Sequence, residues 1–107
     1  MSSLPITGTV TGTGSAINVS LGFAPGYVKI WNETDTKKGT LEWSSTMAAA
    51  SGWKTLNDAY VTRITSNGIS AYTGSTTAGV GFTIGADTDL NGASDVIHYI
   101  AFPIRVA

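Results

Sequence analysis

The chain has 107 residues, enough for one compact core and too few for two, so residues 1–107 read as a single domain. Its 6 Lys+Arg against 7 Asp+Glu give a net charge of −1, without the basic stripe that neutralises nucleic-acid phosphates. No cysteine is present, which excludes disulfides, zinc–thiolate sites, iron–sulfur clusters and thiol nucleophiles.

The N-terminus M-S-S-L-P-I-T has no basic region and no long apolar run, and no stretch of the chain is apolar for long enough to span a bilayer as a helix. The expectation is a soluble protein made without a classical export signal. Charged residues are only 12% of the chain, while Ser and Thr supply 27 residues and Gly 13. A surface of hydroxyls and backbone gives little colloidal repulsion, which suits a protein packed against neighbours.

In chain order, T-G-T-V-T-G-T-G (Thr7 to Gly14) predicts a short strand and then a turn from Gly12 to Ser15, because β-branched residues favour extension and the glycines favour turning. Ile17, Val19 and Leu21 alternate with Asn18 and Ser20, a half-buried strand expected to pair with the one before it. G-F-A-P-G (Gly22 to Gly26) reads as a turn with positive φ at Gly26, and Phe23 as a core anchor. Tyr27 to Asn32 forms a strand with apolar bulk on both faces, so it is either central or covered by a neighbouring chain.

Glu33 to Gly39 is a charged hairpin loop, and Leu41 to Trp43 a short return strand. Ser44 to Trp53 reads as a long loop with at most one helical turn, since Gly52 follows the alanines too closely for a stable helix. Asn67-Gly68, between Tyr60 to Ile64 and Ile69 to Tyr72, is the strongest short hairpin signal in the chain. Thr73 to Gly79 is a polar loop, and Val80, Phe82 and Ile84 mark the next strand. The last strand runs through D-V-I-H-Y-I-A-F-P-I-R-V (Asp95 to Val106). Val96, His98, Ile100, Phe102, Ile104 and Val106 are expected on its core face, and Pro103 places its second half at an edge or bulge. Seven or eight short antiparallel strands without a convincing helix predict an all-β fold, a small β-sandwich or barrel.

Few residues point to chemistry. Asp87, Asp89, Asn91 and Gly92 spell D-x-D-x-N-G, the opening of a calcium loop in which oxygen ligands alternate and Gly permits the turn. The second half fails, with Ser94 in place of an aliphatic residue and His98 in place of the bidentate Glu. A structural turn is the favoured reading; if calcium binds, Asp87, Asp89, Asn91 and Asp95 are the ligands. His98 is the only histidine, reads as a structural residue, and has no nucleophile motif to serve. Glu33, Glu42 and Asp58 show no spacing that favours a glycosidase pair over solvated loop positions. The expectation is a non-enzyme. Among the aromatics, Trp53, beside Gly52, and Tyr27 or Trp31 are the candidates for a partner surface or a sugar platform.

Several segments together resemble a family of small tailed-bacteriophage virion structural proteins. They are T-G-T-V-T-G-T-G-S-A with I-N-V-S-L-G-F-A-P-G-Y-V-K-I-W-N, then L-E-W-S-S-T-M-A-A-A, T-S-N-G-I-S-A-Y, G-F-T-I-G-A-D-T-D-L-N and I-H-Y-I-A-F. They span nearly the whole chain; the tail P-I-R-V-A departs from the family pattern and reads as an intersubunit strand. The resemblance implies a β-sandwich without catalytic residues, a capsid decoration or cement protein on the outside of the major capsid protein lattice. Its copies would form a trimer matching three-fold sites of the shell, made in the host cytoplasm and contacting neither nucleic acid nor membrane. Residues 1–6 and 103–107 are the expected contact arms, with Ser2, Ser3, Leu4, Pro5, Ile6, Pro103, Ile104 and Arg105 joined by Trp53 as contact residues. The alternative is a tail or tail-fibre module binding host-surface carbohydrate, with Trp53 and Tyr72 stacking on sugar rings.

Overall fold

The computed structural model describes residues 4–34, 39–56, 60–74 and 79–104. Eight strands follow one another: β1 (Ile6–Thr11), β2 (Ile17–Ser20), β3 (Pro25–Asn32), β4 (Gly39–Ser44), β5 (Ser51–Leu56), β6 (Val61–Tyr72), β7 (Gly81–Ile84) and β8 (Val96–Pro103). They form one antiparallel sheet in the order β1-β8-β3-β4-β5-β6-β7-β2. The all-β expectation holds, in its barrel-like form: a single curled sheet, close to half a barrel, rather than two sheets face to face.

The curl follows from connectivity. β1 and β2 are the two sheet edges, yet only Gly12 to Ala16 join them, so the edges lie within the reach of a few extended residues. Across the concave side the rings of Phe82 and Tyr99 meet edge to face at 5.5 Å. Val28, Ile30, Leu41, Trp43, Ile69, Phe82, Ile84, Leu90 and Ile97 fill that side, each at most 3% exposed. Tyr99 lies against β1 at Gly8, where an added Cβ would come within 2.6 Å of the phenol oxygen. Only glycine leaves room there.

Five expectations are corrected. β1 and β2 do not pair; β1 pairs β8 and β2 pairs β7, because the backbone of the link between them is bound to the segment 91–95 instead of folding as a hairpin turn. On β8 the inward residues are Ile97, Tyr99 and Ala101, whereas Val96 is 47% and Phe102 39% exposed, and His98 and Ile100 share their outward face. Both faces of β8 are apolar, so alternation alone does not choose between them; register with Val28, Ile30 and Asn32 on β3 does.

Asn67-Gly68 makes no hairpin. β6 runs straight through it, pairing with β5 and then β7, and residues 65–68 bulge out between the pairs Gly52↔Ile64 and Ser51↔Ile69. Asn67 does take the left-handed φ of 59°, but the Gly68 N–H donates to the Ala50 carbonyl of the neighbouring strand's approach. Trp53 belongs to β5 and not to a loop, so the 44–53 connection is the short turn 45–50. The positive φ near Pro25 lies at Gly22 (84°) rather than Gly26, which sits at a bulge against Ile104. The tips of the β3–β4 loop (35–38) and of the Thr73–Gly79 loop (75–78) fall outside the described residues.

Candidate functional site: a loop closed by lysine and an aromatic outer face

The loop from Asp87 to Asp95 covers one end of the curled sheet. Asp87 opens it by accepting the amides of Leu90 and Asn91 on its carbonyl, while its carboxylate accepts the Asp89 amide at 2.9 Å. Leu90, 1% exposed, is thereby driven into the core. Between the two aspartates sits the ammonium of Lys54, from the inward face of β5, at 2.8 Å from Asp87 and 2.7 Å from Asp89. Burial pushes the Lys54 pKa down, but hydrogen bonds and charge from Asp87 and Asp89 outweigh it and leave it above the ordinary lysine value of 10.5.

Asn91 is fully buried and turned elsewhere. Its amide donates to the carbonyls of Ser15 (2.7 Å) and Gly85 (2.9 Å), and its oxygen accepts the Thr13 N–H at 3.0 Å. Asp95 accepts from the Asn32 amide at 2.8 Å, and the backbones of Gly12 and residues 94–95 bond in both directions. Asp87 and Asp89 therefore do converge on a cation, and that cation is a side-chain ammonium. Asn91 and Asp95 point to other partners. Among the described residues no group of three or more His, Cys, Asp or Glu side chains is placed to hold a metal. The oxygens that a calcium loop would aim at one point are aimed at Lys54 and at backbone and side-chain amides.

Lys54 and Asn32 were not singled out from sequence. The available signal was parity: Lys54 alternates with Trp53 and Thr55 and registers with the buried Leu41 across the sheet. A lysine at an inward position requires a buried counter-charge.

Among the described residues, no other element covers the opposite, outward face of the sheet. Register defines rows across it: Thr7, Ile100, Lys29, Glu42, Trp53 and Arg63 form one, and Thr9, His98, Trp31, Thr40, Thr55 and Val61 the next. His98 stacks on Trp31, with ring centroids 5.7 Å apart and planes within 12°, and its Nε2 lies 3.5 Å from Glu33. Tyr27 packs on Phe102 at 5.8 Å and donates its hydroxyl to Glu42 at 2.5 Å. Burial, then the Glu42 hydrogen bond and charge, push the Tyr27 pKa up to about 12. Lys29, Trp31, Thr40 and Ile100 line an open depression of about 430 Å³. Glu33 and Glu42 thus face a histidine and a tyrosine, while Asp58 lies outside the described residues.

Trp53 is 49% exposed on this face, between Glu42 and Arg63. Tyr72 stands at the far end of β6, opposite Gly81, with no residue pairing that places it beside Trp53. The two expected arms are brought together: β1 pairs with β8 in the register Ile6↔Ala101, so Leu4, Pro5 and Ile6 lie at the same sheet corner as Phe102, Pro103 and Ile104. Leu4 (80%), Ile6 (39%), Phe102 (39%) and Ile104 (46%) are all exposed there. Ser2, Ser3 and Arg105 lie outside the described residues. Comparison with protein-family models, with curated proteins and with solved structures finds no match to this chain.

Proposed function

We propose that this protein is a phage virion structural protein, a decoration or cement protein that binds the outside of the major capsid protein lattice and stabilises the head. The observation that carries the reading is that β1–β8 pairing holds two segments side by side at one sheet corner where Leu4, Ile6, Phe102 and Ile104 are all exposed, Ile6 toward the inward face and Phe102 toward the outward one. Exposed apolar side chains clustered on an otherwise hydroxyl-rich, weakly charged surface mark a site for protein contact. The segment resemblances support the virion setting, and the outward face supplies hydroxyls and rings for a broad, repeated contact.

Copies per virion, measured by quantitative mass spectrometry against the major capsid protein, test it. Hundreds of copies are expected, and purified protein should bind capsids that lack it. The double variant Leu4→Asp/Ile104→Asp should stay folded and lose that binding; undiminished binding would sink the corner as the contact. A few dozen copies at most would move the protein to the tail. That second reading, a carbohydrate-binding tail or fibre module, is favoured by Trp53 alone: a half-exposed indole flanked by Glu42 and Arg63 offers a ring platform beside hydrogen-bonding groups.

A further inference from the structure

We infer that the β1 edge is a self-association site, where β1 of one copy pairs antiparallel with β1 of a second copy across a two-fold axis at Gly8. The inference does not rest on the virion reading. Proteins ordinarily guard a sheet edge with a charged residue, a proline, a bulge or a covering element. β1 is an edge strand of six residues, I-T-G-T-V-T, with no charge and no proline, and it pairs with β8 without a register shift. β2, the other edge, has four residues.

Charge selects the occupant. The first charged side chain in the chain is Lys29, so β1 and the segments on either side of it in the chain carry no charged side chain. A charged partner strand would find no complement there, whereas a second neutral copy needs none. The strand is also complementary to itself. Thr7, Thr9 and Thr11 share the outward face and Ile6, Gly8 and Val10 the inward one, by register with β8. A two-fold axis perpendicular to the sheet keeps inward residues inward, so only even registers are allowed. Centring on Gly8 sets Thr7 against Thr9 of the second copy, a favourable cross-strand pair, and covers the exposed Ile6 with Val10. Centring on Thr9 would leave Ile6 uncovered. A β1-to-β2 contact, the arrangement that builds rings such as a trimer, is limited to the four residues of β2.

A six-residue strand pair buries much less than the roughly 1,200–2,000 Å² of a standard stable interface. The dimer is therefore weak and concentration-dependent in dilute solution, and persists where copies are held close. Sedimentation equilibrium of the full chain, from micromolar to millimolar protein, should show a monomer–dimer equilibrium. Thr7→Lys/Thr9→Lys places like charges opposite each other across the axis and should leave a monomer throughout. Thr7→Lys/Thr9→Glu places opposite charges there and should shift the equilibrium back to dimer. Both positions are exposed, and an unchanged near-ultraviolet circular dichroism spectrum checks that the variants are folded. A wild-type chain that is monomeric at every concentration, or that forms trimers, overturns the inference. So does a Lys/Lys variant that dimerises like wild type, or a Lys/Glu variant that stays monomeric.

Discussion

The loop end and the outward face use polar side chains in opposite ways. Around Asp87 to Asp95, the buried Asn32, Lys54, Asn91 and Asp95 each bond to named partners across distant parts of the chain. On the outward face, Lys29, Glu42, Trp53 and Arg63 lie in one row with solvent on one side. In the first region the buried polar groups are tied to partners within the fold; in the second, the row keeps one side toward solvent, with Glu42 bound by the Tyr27 hydroxyl. The two carboxylates that spell the start of a calcium loop meet the Lys54 ammonium, while the outward face carries hydroxyls and half-exposed rings.

The contrast is sharpest in stability. Lys54→Met removes the counter-charge from the largely buried Asp87 and from the more exposed Asp89, and should cost about 3 kcal/mol in chemical denaturation. Asn91→Ala leaves the Ser15 and Gly85 carbonyls and the Thr13 amide without their partner, an expected loss of about 2 kcal/mol in the same measurement. Either variant as stable as wild type would break the assignment of this loop as a structural clasp.

Alkaline pH probes both regions together. The folded pKa values of Lys54 and Tyr27 are raised, so the folded state holds these protons more tightly than the unfolded chain. The stabilisation is present in full below pH 10.0 to 10.5, the two unfolded values, and is lost as pH rises, for Tyr27 through about 12. Melting temperature should fall over that window, and Tyr27→Phe should flatten part of the fall.

Trp53→Ala, on the outward face, should change stability by less than about 0.5 kcal/mol and, on the proposed function, weaken capsid binding. A large destabilisation would mean that this face is part of the core of an assembly. The smallest effect is expected from calcium, since its would-be oxygens already bind an ammonium and amide donors. Millimolar calcium or EDTA should leave the melting temperature unchanged, and a rise with calcium would place a metal where Lys54 now sits.

Much of this was legible in the chain. Turn residues and period-two alternation located every strand but β5 to within a few residues, with β6 read as two strands, and Val28, Ile30, Phe82 and Ile84 of the alternating segments are core. The calcium-loop spacing singled out a loop in which Asp87 and Asp89 do come together, but the group they meet comes from β5, 33 residues away in sequence from Asp87. Trp53 was legible as an exposed aromatic and not as a strand residue, because Gly52 beside it imitates a loop.

Local patterning and composition were enough for the all-β class, the low charge and the absence of thiol chemistry. Only the tertiary structure decided which face of β8 turns inward, that β1 and β2 part to opposite edges, that Asn67-Gly68 bulges instead of turning, and that Lys54 neutralises the aspartate loop. Each of those outcomes depends on which distant strand offers a hydrogen-bonding edge or an opposite charge. Period-two alternation is the same for either face of a strand that is apolar on both.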